Sequence, residues 1–282
     1  MPETGSYSIV ASGASGGTAN GRTGGNSEVV GGFGAQIGAI FSFSAGEVIT
    51  IAVAGRGADA PDAIVSGGGG GGSFVVDDNN SPLLIAGGGG LVGGNFSQHR
   101  GITATSLDAI NGHETSFPTA DGGKAGNGSD DGESGKTDME DGDGCAGGGG
   151  YSTPGGSGGD PFVGYGGSGA SYLAGLTGSA GNGGNGGAGG FGGGGGYVGG
   201  GGGGYSGGGG AAHGDTGGGG SDGSHSSMSG QSFETATVNG NGLVVITPQS
   251  TKAVLDTLTD TAGKALPTGA MASLASSEHW FM

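Results

Sequence analysis

Glycine supplies 83 of the 282 residues, only 32% are apolar and 6% aromatic. Side chains alone therefore cannot fill a core in proportion to the chain, and an ordinary enzyme domain is an unexpected reading of it. Seven basic against 24 acidic residues give a net charge of −17 with no Lys/Arg cluster, which argues against nucleic acid or anionic lipid as partner.

From the N-terminus, MPETGSYSIV lacks the basic start and long apolar stretch of a secretory signal peptide, so a signal has been cut off or the protein reaches its destination by another route. Alternation and β-branched or aromatic content then predict strands at Tyr7 to Val10, Ile40 to Phe43, Val48 to Ala54, Phe74 to Val76 and Leu83 to Ile85. Each is closed by glycine, aspartate, asparagine or proline. In Val48–Ala54, period two places Val48, Thr50 and Ala52 on one face and Ile49, Ile51 and Val53 on the other, the expected core face.

Glycine runs dominate the middle of the chain. Gly67 to Gly72 and Gly87 to Gly90 flank the Phe74 and Leu83 strands, and residues 144 to 223 are about half glycine. The uninterrupted runs there are Gly147 to Gly150, Gly192 to Gly196, Gly199 to Gly204, Gly207 to Gly210 and Gly217 to Gly220. Ordering glycine costs roughly 0.5 to 1 kcal/mol more per residue than ordering alanine, on the order of 40 to 80 kcal/mol over all of them. Without an offsetting interaction such a segment is a flexible linker.

The spacing names the offset. Asn182, Asn185, Ala188 and Phe191 recur at a strict period of three with glycine between them, and three residues per turn is polyproline-II geometry. Such helices have no internal hydrogen bonds, so buried copies must bond to one another. The prediction is a bundle of polyglycine-II helices over about 120–232, with all-glycine runs inside it. Collagen is excluded by the 8 prolines and the absence of glycine at every third position throughout. Aromatic residues follow the runs: Phe74, Tyr151, Tyr197 and Tyr205, with Phe191 between two of them. They read either as an exposed platform for a glycan or protein, or as rings that cap the bundle or pack against the β layer, the latter being preferred because aromatic area is scarce.

After the turn signal Asn239–Gly240–Asn241–Gly242, a last strand at Leu243 to Thr247 returns the chain to the β layer. The expectation is mainly β: a single domain over 1–248, with its β layer in 6–90 and 233–248. Residues 249–282 form a tail. In it Val254, Leu255, Leu258 and Ala262 at helical spacing predict a short helix over 252–264, capped by Thr251 and ended by Pro267–Thr268–Gly269. Trp280–Phe281 reads as a docking peptide or as part of a frayed end. No run approaches the roughly 18 to 20 apolar residues of a membrane-spanning helix.

No motif carries catalytic chemistry. GxxxxGK[ST] is missing, and GxGxxG matches arise by chance at this glycine content. The acidic residues Asp130, Asp131, Glu133, Asp138, Glu140, Asp141 and Asp143 offer oxygen ligands but match neither the EF-hand nor the calcium β-roll spacing, so they read as a solvated loop with calcium left open. His99, His113, His213, His225 and His279 are scattered without metal-ligand spacing. Ser168 lies in a glycine repeat and not in a GxSxG elbow, and Cys145 beside Asp143 and Glu140 is disfavoured as a thiolate. No catalytic, metal or cofactor site is assigned, and the expectation is a non-enzyme.

The order GGGGGGSFVV (Gly67 to Val76), a short polar turn, then PLLIAGGGG (Pro82 to Gly90) resembles the glycine-rich extracellular domain of the anaplastic lymphoma kinase and leukocyte tyrosine kinase receptors, and of similar microbial secreted proteins. The likeness continues through GGFGGGGGY (Gly189 to Tyr197), GGGGGGYSGGGG (Gly199 to Gly210) and NGNGLVVIT (Asn239 to Thr247), covering roughly residues 6 to 248. It implies a small β-sandwich of tumour-necrosis-factor-like character fused to a hexagonal polyglycine-II bundle, outside a cell. The receptors' disulfides, membrane span and kinase domain have no counterpart here, so their cytokine-binding role and contact residues are not carried over. The chain also resembles, more weakly, the glycine-rich adhesins at phage tail-fibre tips, which need neither signal peptide nor cysteine.

The functional expectation is a non-enzymatic extracellular, cell-surface or virion protein acting in binding, adhesion or structure, with a protein or glycan at a cell surface as partner and self-association as a further mode. Its interaction face is expected in residues 91 to 121 and 127 to 145, loops that a rigid bundle presents without ordering cost. The alternatives are a filament subunit or a tail-fibre adhesin recognising a host surface receptor. Ice binding ranks last, since Asn182, Asn185, Ala188 and Phe191 form no repeated threonine-like face.

Overall fold

The computed structural model describes residues 1–20, 28–60, 67–90, 146–156, 169–175, 187–195, 199–210, 218–223, 227–237 and 239–249. The described chain is mainly β, and none of it is helical. The strands are β1 (Gly5–Ser12), β2 (Ala19–Asn20), β3 (Glu28–Val29), β4 (Ala35–Phe43), β5 (Ile49–Ala52), β6 (Ser73–Asp77), β7 (Pro82–Ala86), β8 (Met228–Thr235) and β9 (Leu243–Gln249). They form an antiparallel four-stranded sheet in the order β8-β4-β1-β9, an antiparallel three-stranded sheet in the order β5-β6-β7, and a small β2–β3 ladder. All six strands expected from alternation are present, several of them longer than the apolar pattern alone suggests.

Alternation makes the core. Tyr7, Ile9 and Ala11 of β1 and Ile37, Ala39, Phe41 and Phe43 of β4 point inward, where they meet Val75, Leu83, Leu84 and Ala86 of the three-stranded sheet. Phe41 stacks on Phe43 at a centroid distance of 5.8 Å, and Tyr7 tilts against Phe43 at 5.9 Å. Ile49 and Ile51 pack against this core, as the alternation of Val48–Ala54 requires, while Val53 and Ala54 lie beyond the end of β5. Ala52, on the opposite face, packs against Phe74 and Ile85 in a second cluster.

Strand β8 is not expected from alternation. Its residues MSGQSFET are exposed except for the half-buried Met228, and the antiparallel ladder to β4, broken by a bulge between Gly38 and Ile40, holds it in place. It begins at Met228, five residues before the position 233 expected for the return to the β layer. β8 and β9 lie on opposite edges of their sheet, so Asn239–Gly242 is a crossing and not a tight hairpin.

The glycine runs lie beside the three-stranded sheet and bond to one another through their backbones. Gly67–Gly72 is fully buried and shows the pattern best. It donates from Gly68 and Gly71 to Ala58 and Gly55, from Gly69 to Gly194 and from Gly70 to Gly89. It accepts from Gly17 and Ala14 at Gly68 and Gly71, from Gly190 at Gly69 and from Gly203 at Gly70. Residues three apart therefore address the same neighbour, and six chain segments enclose the run. The approach leaves no room for a side chain: a Cβ on Gly88 would stand 2.2 Å from the Gly70 carbonyl oxygen, and one on Gly201 2.0 Å from that of Gly208. The predicted helix over 252–264, Trp280 and Phe281 lie outside the described residues.

Candidate functional site

The run that enters the three-stranded sheet, Gly67–Gly72, continues into Phe74 on β6, and later runs that return to the same sheet also end in rings. Tyr151 follows Gly147–Gly150, and Tyr205 follows Gly199–Gly204. Phe191 follows Gly189–Gly190, and Tyr172 follows the small residues Gly169–Ala170–Ser171. A glycine turn reverses the chain after two of them, with φ of 83° at both Gly175 and Gly192. Tyr151, Tyr172, Phe191 and Tyr205 are half-buried and pack on the buried Phe74 and Ile85.

Three of these rings and Phe74 form one row. Phe74 stacks on Tyr172 at 5.0 Å and 25°, Tyr172 on Tyr151 at 5.4 Å and 11°, and Tyr151 on Tyr205 at 6.2 Å and 28°. The Tyr151 hydroxyl donates to the carbonyl of Asn80, whose φ of 60° turns the β6–β7 connection. That turn is held by the Asp77 carboxylate, which accepts from the backbone N–H of Asn79 at 2.9 Å and of Ser81 at 2.6 Å. Burial pushes all three tyrosine pKa values up. Tyr172, Asp77 and Tyr205 add to the rise at Tyr151, and Asp222 adds to it at Tyr205.

The row decides between the two readings of the aromatic residues. A platform for a sugar or a partner ring needs open ring faces. Here Tyr172 and Tyr151 each stack on two rings and Tyr205 on one, and all three pack with Phe191 on Phe74 and Ile85. The rings therefore seal the glycine runs to the sheet, as the packing reading expects. Tyr172 was not singled out in the sequence; an aromatic residue directly after a stretch of small residues was the available signal. Tyr197 lies outside the described residues.

A second polar cluster ties the ends of the β layer together. The Arg56 guanidinium pairs with Asp59 at 2.5 Å and reaches the Asn239 side-chain oxygen at 3.4 Å, while its backbone N–H donates to Asn241 at 2.9 Å. Ser15 donates its hydroxyl to Asn239 at 2.7 Å, and the N–H of Thr18 donates to Asp59 at 2.7 Å. The hydrogen bond from Arg56, chiefly, holds the Asp59 pKa down at about 2. These groups satisfy one another, and the cluster reads as a clasp between residues 15–18, 56–59 and the β8–β9 crossing.

The remaining candidates from the sequence, the acidic residues of 130–143, Cys145, Ser168, the five histidines and the loops 91–121 and 127–145, lie outside the described residues. Among the described residues no three His, Cys, Asp or Glu side chains gather as a metal-holding group, and no helix is long and apolar enough to cross a membrane. No protein-family model matches the chain, and no curated protein is similar to it in sequence.

Proposed function

We propose that this chain is a rigid presenting scaffold: a small tumour-necrosis-factor-like β-sandwich fused to a bundle of polyglycine-II helices, acting without catalysis in binding, adhesion or structure at a cell surface. The observation that carries this reading is the enclosure of Gly67–Gly72 by six segments with a neighbour repeat of three residues. A three-fold helix packed hexagonally has that neighbour pattern, and at about 1 kcal/mol net per bond such contacts offset the entropy of ordering glycine. The shared core of the two main sheets supports the sandwich in the same way. A scaffold whose interior is backbone leaves recognition to what it presents, and residues 91–121 and 127–145 are the segments for that role. They run between Gly90 and Ala146, both of them buried.

Two measurements test the two halves of the proposal. Amide hydrogen exchange followed by mass spectrometry compares peptides from residues 199–210 with those from β5; protection of the same order is expected, and exchange of the glycine runs within seconds would overturn the bundle. Labelled protein is then applied to intact cells and to an array of surface glycans. Binding that is lost when residues 91–121 are replaced by a Gly/Ser linker, with unchanged exchange protection elsewhere, is expected. Retained binding in that variant would move the recognition surface elsewhere.

A further inference from the structure

The two main sheets present four lateral edges, and among the described residues only one flank guards them. On the β7 side, Ile85 and Asp222 exchange backbone hydrogen bonds of 2.7 and 2.8 Å, which closes the edge. β8 carries Glu234, a glycine at φ 61° (Gly230) and a bulge opposite Gly38–Ile40, three features that obstruct pairing with another strand. On the other flank β5 and β9 lie together: Gly242 donates to Ala54 at 2.9 Å, and Ile49, Ile51, Val244 and Ile246 all lean half-buried on the same core. Val48 is 61% and Leu243 46% exposed. From Val48 to Ala54 and from Leu243 to Gln249 there is no charged residue, in a chain of net charge −17.

We infer that this flank is a self-association surface that takes a second copy of the chain, with β9 pairing antiparallel to its own counterpart about a two-fold axis. Charge permits a second copy at this edge. Two chains of −17 repel over most of their surface, and this edge lets them approach without opposed carboxylates. Geometry selects the register. Pro248 has no N–H, so its pair with Tyr7 of β1 is a non-hydrogen-bonded one. Alternation then turns the N–H and C=O of Val244 and Ile246 toward the edge away from β1, where no described strand pairs with them, and the outward bond from Gly242 to Ala54 obeys the same parity. Centring the two-fold on Val245 sets Val244 against Ile246 of the second copy, so all four N–H groups find carbonyls and Pro248 is left outside the ladder. Leu243 then faces Thr247 of the second copy. The inference does not rest on the surface-recognition reading, since a monomer presents the same loops.

Sedimentation equilibrium on the full chain tests it. The expected result is a dimer whose dissociation constant weakens by about tenfold or more in a Leu243→Glu/Thr247→Glu variant, which sets carboxylates opposite each other across the two-fold. A Ser229→Glu/Phe233→Glu variant on β8 should leave it unchanged. Both altered β9 positions are exposed, and a thermal midpoint equal to that of the native chain at a concentration where both are monomeric confirms that the fold is kept. Amide exchange in Leu243–Gln249 of the native chain, slowing as concentration rises, reads the same contact without mutation. A chain that stays monomeric at every concentration, or a dimer broken by the β8 variant and not by the β9 one, overturns the inference.

Discussion

Replacing Gly88 by alanine tests whether the glycine runs are a packed interior. The new Cβ would lie 2.2 Å from the carbonyl oxygen of Gly70 and 2.5 Å from that of Gly71, both backbone atoms in the middle of an enclosed run. Ordinary contact requires the two runs to separate by about 1 Å. That movement stretches the 2.8 Å bond from the Gly70 N–H to the Gly89 carbonyl, which joins the same two runs, beyond hydrogen-bonding distance. A buried donor and a buried acceptor are then left without partners, at about 1 to 3 kcal/mol each. The entropy gained by replacing glycine returns only about 0.5 to 1 kcal/mol. The net expectation is a loss of about 1 to 5 kcal/mol in urea denaturation followed by tyrosine fluorescence. Gly5→Ala is the matched control, because a Cβ there meets nothing within 4 Å, and it should be neutral to within about 0.5 kcal/mol. A Gly88→Ala chain as stable as the Gly5→Ala chain would refute the argument that backbone contact, and not flexibility, accounts for the glycine at that position.

Two further outcomes follow from titration. Burial raises the pKa of Tyr151, Tyr172 and Tyr205 in the folded chain, so the folded state holds their protons longer than the unfolded one. Their contribution to stability is complete below the ordinary value near 10 and is lost as pH rises through the folded values; ultraviolet titration should show a late-ionising group of tyrosines that joins the rest in urea. A single transition at the ordinary value in the native protein would contradict the half-buried row. Asp59 behaves oppositely: its pKa is lowered from 3.8 to about 2, so its contribution is present above pH 4 and fades as pH falls toward 2. Its side chain is 53% exposed, so solvent screening limits the effect to about 1 kcal/mol or less. Asp59→Asn should flatten the acid limb of stability against pH by that amount, and an unchanged acid limb would show that the Arg56 pair contributes nothing measurable.

The legible part of this fold lies where side chains alternate. Ile9, Phe41, Val75 and Leu84 lie in strands that alternation and composition predict, and Ile49 and Ile51 face the core as period two assigns them, whereas Ile37 lies in the part of β4 that precedes the expected Ile40 to Phe43. β8 was illegible because MSGQSFET buries neither face; its ladder to β4 makes it a strand, and that partner is nearly two hundred residues away in the chain. The rings of Tyr151 and Tyr205 were visible as aromatics after glycine runs, whereas their stacking through Tyr172 depends on where separate returns of the chain meet the sheet.

The sequence by itself determined that strands of ordinary pattern would alternate with long stretches lacking side chains, and that any order in those stretches must come from backbone bonds between neighbours. Which run lies beside which was decided only by the tertiary structure. A backbone N–H of one glycine is chemically the same as that of another, so the bond from Gly70 to Gly89 is written in no local pattern. The sheet supplies the missing information: β6 and β7, joined by the Asp77–Ser81 turn, set Gly67–Gly72 and Gly87–Gly90 side by side. Of the later runs, Gly194, Gly203 and Gly219 bond to that pair, Gly149 bonds in turn to Gly192 and Gly204, and the rings of Tyr151, Phe191 and Tyr205 pack on the sheet.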